Sequence, residues 1–146
     1  MTYTMPQTYC LQEVNGLIHL LLDDLLELLQ EPVDPEDRTW VSAVVDYIVL
    51  SLRQKFDMET CEGYLAEVTE YRPNWTPRVL RLRAEFVQLL KEIALLRRRV
   101  ANCDSDAEYA EICQALKSWR QSFRRHQSHG NRLFQEAFLL DVGVGD

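Results

Sequence analysis

Four stretches of this chain carry residues at alternating spacings of three and four, most of them apolar, and this pattern limits the possible folds more than any other feature. Such a stripe lies on one face of an α-helix and is buried where helices pack side by side. The four stripes are Leu11, Asn15, Ile18, Leu22, Leu25 and Leu29; Val41, Val45, Ile48, Leu52, Lys55 and Glu59; Val79, Leu82, Phe86, Leu89, Ile93, Leu96 and Val100; and Tyr109, Ile112, Leu116, Trp119, Phe123, His126, Gly130, Leu133 and Ala137. The sequence therefore predicts an all-α protein.

Short loops separate the stripes, and their residues suggest where each helix begins and ends. Asp34 and Thr76 are the predicted N-caps of the second and third helices, since each precedes a proline that fits the first turn. Ser105 begins a capping-box pattern, and the tail from residue 141 is a poor helix former. The predicted helices span about 8–30, 35–71, 77–101 and 105–138. With such short connections we expect one domain over residues 1–146, an up-down-up-down antiparallel four-helix bundle.

Charge and composition argue against several classes of partner. The 16 basic and 23 acidic residues give a net charge of -7, which repels nucleic acid and anionic membranes. Apolar runs are interrupted well before the ~18 residues that a membrane span needs. The four cysteines form no C-x-x-C pair, so we expect reduced thiols and a cytoplasmic protein.

Polar residues interrupt the apolar stripes at a few positions, and these positions are predicted to lie together. They are Asn15 in the first stripe, Lys55 and Glu59 in the second, and His126 with Gly130 in the fourth. At a rise of about 1.5 Å per residue, they lie about 10 to 20 Å from the same end of the predicted bundle. Converging polar residues of this kind form metal and cofactor sites in helical bundles.

The residue types at these positions do not form a complete metal-binding set. Glu59 and His126 supply two ligands, fewer than the three or four that zinc or iron usually takes from a protein. Lys55 lies one helical turn before Glu59, where its ammonium repels a cation and can pair with the carboxylate. An unpaired carboxylate in the core costs several kcal/mol or is protonated. We therefore predict a buried polar cluster of Lys55, Glu59 and His126.

Several strings of residues resemble the hemerythrin-like, cation-binding HHE domain family. They are Phe56-Asp57-Met58-Glu59 leading to Gly63-Tyr64, the run from Pro77 to Glu85, and His126 followed by the run from Asn131 to Phe138. The resemblance extends over nearly the whole chain and implies a four-helix bundle that holds non-haem di-iron between its helices. In that family the ligands are a His on the first helix, His-x-x-x-Glu on the second, one or two His on the third, and His-x-x-x-Glu or Asp on the fourth.

The resemblance also implies that most of these metal-ligand positions are substituted in this chain. The former ligand positions are Asn15, Lys55, Glu59, Phe86, Leu90, His126 and Gly130. Only Glu59 and His126 keep ligand types, while Phe86 and Leu90 would fill volume and Lys55 would replace a cation. We therefore expect no metal or other cofactor and no catalysis. A non-enzymatic binding or structural module is the first expectation.

Other interpretations of the same residues remain open. Non-haem iron or another metal could be retained for oxygen binding, storage or sensing, through Glu59 and His126 with His19 or His129 in a rearranged site. Cys61 could act as a redox thiol. No Gly-rich phosphate loop or nucleophile elbow points to a hydrolase or transferase. A homodimer or a protein partner would use aromatic residues outside the stripes, namely Trp40, Tyr71 and Trp75.

Overall fold

The computed structural model describes residues 11–30, 35–61 and 64–144, and these ranges are almost entirely helical. In chain order, they contain α1 (Leu11–Gln30), α2 (Pro35–Cys61), α3 (Tyr64–Tyr71), a 3₁₀ turn (Pro73–Trp75), α4 (Thr76–Ala101) and α5 (Asp106–Val144). No strand occurs in these ranges, which confirms the all-α prediction. None of the described helices has an apolar stretch long enough to cross a membrane.

One predicted helix end is wrong, and another prediction falls partly outside the described residues. The helix expected over 35–71 is described as α2 and α3, and residues 62 and 63 between them lie outside the described residues. The last helix continues to Val144, past the expected end at 138, because propensity is only a weak prior. Residues 8–10 and the Asp34 cap lie outside the described residues.

The starts of α4 and α5 differ in how well they were predicted. Thr76 is the first residue of α4 and not its N-cap, because the 3₁₀ turn leads directly into the helix. Its hydroxyl donates a 2.7 Å hydrogen bond to the carbonyl of Pro73. At α5 the predicted cap is confirmed, since the hydroxyl of Ser105 accepts a 3.1 Å hydrogen bond from the backbone N–H of Glu108.

The predicted stripes supply the hydrophobic core. Buried residues of α1, α2, α4 and α5 form one large cluster, here called the main core, whose fully buried members include Ile18, Ile48, Ile93 and Leu116. A second cluster, the small core, includes Val68, Val79, Leu82, Leu133 and Ala137 from α3, α4 and α5 among the residues whose side chains are described. The whole α5 stripe from Tyr109 to Ala137 is buried, as predicted.

The four long helices contact one another in a closed ring. Helix α1 packs on α2 and α5, α2 packs on α4, and α4 packs on α5, while the short α3 contacts α2, α4 and α5. Side-chain hydrogen bonds also connect neighbouring helices of the ring. Trp119 donates a 2.9 Å hydrogen bond to the carbonyl of Leu89, and Arg120 donates one of 2.9 Å to the carbonyl of Leu22. The ring places the polar positions of α1, α2 and α5 around a common space.

Candidate functional site: a buried lysine–glutamate pair

Lys55 and Glu59 form an ion pair inside the helical core. They are one turn apart on α2, and their side chains are only 5% and 3% exposed. The Lys55 Nζ lies 3.6 Å from the Glu59 Oε1, which is ion-pair contact beyond the usual range of a short hydrogen bond. The two predicted cluster residues of α2 are therefore buried together.

Aromatic rings complete the surroundings of the Lys55 ammonium. Its Nζ lies 5.7 Å from the centre of the Phe123 ring and 6.0 Å from that of Phe86, within the range of a cation–π interaction. Burial nevertheless lowers the pKa of Lys55 below its ordinary value, and the charge of Glu59 opposes this only in part. The unfavourable removal of the ammonium from water therefore has a larger effect on the pKa than the favourable interaction with Glu59.

His126 joins the site from α5 but hydrogen-bonds to a residue that the sequence reasoning did not assign to the cluster. The imidazole is buried, and its Nδ1 lies 2.6 Å from the Oε1 of Glu85 on α4. Burial lowers the pKa of His126, whereas the nearby Glu85 acts in the opposite direction. Glu85 precedes the Phe86 stripe position and is itself 42% exposed on its side chain, so no stripe pattern marked it.

Phe86 and Leu90 fill volume beside the pair. Phe86 is 1% exposed and meets the ring of His126 edge-on, at 5.1 Å between centres and 71° between planes. It makes similar contacts with Phe56 and Phe123. Leu90 is partly buried against the main core. Both residues therefore pack as hydrophobic filler.

A polar cavity of about 100 Å³ adjoins the ion pair. Its lining consists of Asn15, His19, Lys55, Glu59, His126, Gln127, Gly130 and Asn131. The Oδ1 of Asn15 is buried without a hydrogen-bond partner in the part of the chain that the structure describes. Gly130 lines the cavity without a side chain. The cavity thus brings together the predicted polar positions of α1, α2 and α5.

The donor atoms around this cavity do not fit a di-iron centre. Within the described ranges, no group of three or more His, Cys, Asp or Glu side chains is arranged to share a metal ion. The Lys55 ammonium faces the carboxylate that a metal would need, and His126 is engaged with Glu85. The Nδ1 of His129 lies 3.6 Å from the same Glu85 oxygen, and the His129 side chain is half exposed. His19 does line the cavity.

The remaining predicted residues lie elsewhere. Trp40 and Tyr71 are 58% and 57% exposed, whereas Trp75 is half-buried between the guanidinium groups of Arg72 and Arg78. The Cys61 side chain lies outside the described residues. Cys103 and Cys113 are free thiols, both partly buried.

Comparisons with known proteins found no relative of this chain. No family model, curated protein or solved structure matches the chain. The site must therefore be interpreted from its own residues.

Proposed function

We propose that this chain is a non-enzymatic binding or structural module of the hemerythrin-like type, in which the Lys55 ammonium takes the place of a metal cation. In this proposal Phe86 and Leu90 occupy former ligand positions and the domain has lost its di-iron site. The charge of Lys55 balances Glu59, so the core keeps a cation without needing iron.

The single observation that carries the proposal is the buried pair itself. The burial of two ionised side chains to at least 95% is energetically unfavourable. In a helical core, apolar residues of similar volume usually give equal or higher stability. A retained pair at stripe positions is understandable if a charged site once stood there and a lysine compensated the remaining carboxylate.

The proposal includes the antiparallel up-down-up-down bundle. The closed ring of contacts supports it, because each long helix touches two of the others. Two contacts between α4 and α5 also support an antiparallel arrangement of these helices. Arg78 near the start of α4 pairs with Glu136 late in α5, whereas Trp119, earlier in α5, bonds to Leu89, later in α4.

Metal analysis of the purified protein tests the proposal. We expect far less than one transition-metal ion per chain, a colourless solution, and no change after anaerobic addition of ferrous iron. Stoichiometric iron with an oxygen-sensitive visible spectrum, lost in both Glu59→Gln and His126→Gln but kept in the exposed control Glu13→Gln, would refute the metal-free module.

Residual metal binding is the second candidate, and the cavity beside the pair is the observation that favours it. His19, Glu59 and His126 all line this space, so a single ion there would require Lys55 to give up its proton or turn away. Lys55→Gln removes the competing charge. If residual metal binding is the native function, the wild-type protein already binds the metal; if binding appears only in Lys55→Gln, the ammonium excludes it.

As a binding module, the protein would present its exposed aromatic residues to a partner or to a second copy. Trp40 on α2 and Tyr71 on α3 are more than half exposed. The cytoplasmic location and the exclusion of nucleic acid belong to the same proposal, supported by the free Cys103 and Cys113 thiols and the net charge of -7. Sedimentation of wild type and Trp40→Ser tests for self-association.

A further inference from the structure

An open groove between α4 and α5 is lined by arginines although the chain as a whole is acidic. Its volume is about 320 Å³, and its lining consists of Arg78, Arg81, Leu82, Glu85, His129, Arg132 and Leu133. The arginines come from two helices and therefore converge by folding, not by a run of basic sequence. Within a chain of net charge -7, three guanidinium groups around one concave surface form a distinct electropositive site.

Two of these guanidinium groups have no anionic partner among the residues that the structure describes. Arg78 is paired with Glu136 at 2.9 Å and lies over the Trp75 ring at 4.2 Å, which fixes its position. Arg81 and Arg132 have no ion pair or hydrogen bond in the described part of the chain. Their donors are available to a ligand.

The carboxylate in the lining, that of Glu85, contacts two histidines. The Oε1 of Glu85 lies 2.6 Å from the Nδ1 of His126 and 3.6 Å from that of His129. One oxygen of Glu85 is therefore engaged by the imidazoles, and the negative charge of Glu85 lies beside them. His129 lines the groove, and its side chain is half exposed.

We propose that this groove binds a small molecule that carries a phosphate group, held by Arg81 and Arg132 and flanked by Arg78 and His129. Planar guanidinium groups match phosphate oxygens with two hydrogen bonds each. The volume exceeds that of phosphate alone, and Leu82 and Leu133 supply apolar surface for an organic remainder. The concave shape and the acidic remainder of the surface favour a small ligand over nucleic acid. This site is separate from the Lys55–Glu59 cavity and does not depend on the metal-free proposal.

Calorimetric titration with inorganic phosphate, pyrophosphate and phenyl phosphate tests the proposal. We expect saturable binding, tighter for pyrophosphate or phenyl phosphate than for phosphate. Arg81→Gln and Arg132→Gln should each weaken it about tenfold, the loss of one charge-assisted contact. Arg98→Gln, an exposed arginine of α4 outside the groove, is the matched control and should change the affinity less than about twofold.

An NMR titration of the wild-type protein provides a second measurement that does not rely on variants. Amide shifts should concentrate at residues 78–85 and 129–133. The proposal is overturned if no phosphate probe saturates, if Arg98→Gln weakens binding as much as the groove variants, or if the shifts fall elsewhere. Saturable binding of a short polythymidine that depends on Arg81 and Arg132, without binding of the small probes, would assign the groove to nucleic acid instead.

Discussion

Lys55 is a buried cation in the interior of this protein. Its ammonium faces Glu59 and two aromatic rings, and its side chain is only 5% exposed, so bulk solvent compensates its charge only weakly. A buried pair of this kind contributes little net stability, but the loss of one partner leaves an uncompensated charge. The effect of a substitution therefore depends on whether one or both charges are removed.

We predict that Lys55→Met lowers the free energy of unfolding by about 3–5 kcal/mol, because Glu59 would remain buried without its cation. The double variant Lys55→Met/Glu59→Leu should be clearly more stable than this single variant, since both charges are gone. Urea unfolding at neutral pH measures all three proteins. Arg97→Met, which breaks the half-exposed pair with Asp46, is the control and should lose at most about 1 kcal/mol. A neutral Lys55→Met would contradict the buried-pair interpretation.

The stability of the protein should also depend on pH through His126. Burial lowers the pKa of this imidazole below its usual 6.5, so the unfolded chain takes up the proton at a higher pH than the folded one. Stability is then fully present above about pH 6.5 and declines as the pH falls through 6.5 towards the folded pKa. Urea midpoints between pH 7.5 and 5.5 should decrease in the wild type, and His126→Gln should reduce that slope. An NMR midpoint for His126 above 6.5 would show that the sign is wrong.

At the residue scale the sequence predicted Lys55, Glu59 and His126 as buried neighbours, because helical spacing fixes the face on which each side chain lies. It did not predict the hydrogen bond of His126 to Glu85. Glu85 is partly exposed and off the stripe, and its contact with α5 depends on how two helices are rotated against each other. One-dimensional spacing carries no information on that rotation.

Among the helices, α1 contains a residue that weakens it without an evident packing reason. Gly16 lies on the exposed face of α1, and a Cβ added there would meet no atom within 4 Å. We predict that Gly16→Ala raises the stability by about 0.5–1 kcal/mol, because alanine loses less backbone entropy in a helix. Thermal unfolding monitored by circular dichroism measures this gain. A lower melting temperature would show that Gly16 serves another purpose.

At the start of α5 we predict a substitution that lowers the stability. Ser105→Ala removes the acceptor for the backbone N–H of Glu108 and should cost about 1 kcal/mol. Ser128→Ala, at an exposed position within the same helix, is the control and should be neutral or slightly stabilising. Equal effects of the two substitutions in urea unfolding would argue against the cap.

Element boundaries were predicted where a side chain has a specific local role. Pro35 and Ser105 begin their helices as expected, since each acts on the backbone within one turn. The up-down bundle, which rests on the short loops, stays a prediction supported by the ring of helix contacts.

At the scale of the whole molecule, the division of the core into two clusters predicts two levels of stability. The main core joins four long helices, whereas the small core joins the eight-residue α3 to parts of α4 and α5. The eight-residue α3 is far shorter than the four helices of the main core, so it should open locally at a lower free energy than global unfolding. Native-state hydrogen exchange should therefore show weaker protection for α3 than for the centres of α1, α2, α4 and α5.

A matched pair of leucines on α5 distinguishes the two levels. Leu116→Ala removes a fully buried side chain from the main core and should lower global stability by about 2–5 kcal/mol, with faster exchange in all four long helices. Leu133→Ala makes the same chemical change in the small core and should mainly accelerate exchange in α3 and the first turns of α4. If Leu133→Ala instead reduces protection in α1 to the same extent as in α3, the two clusters unfold as one cooperative unit. In that case the stability of the main core depends on the packing of α3.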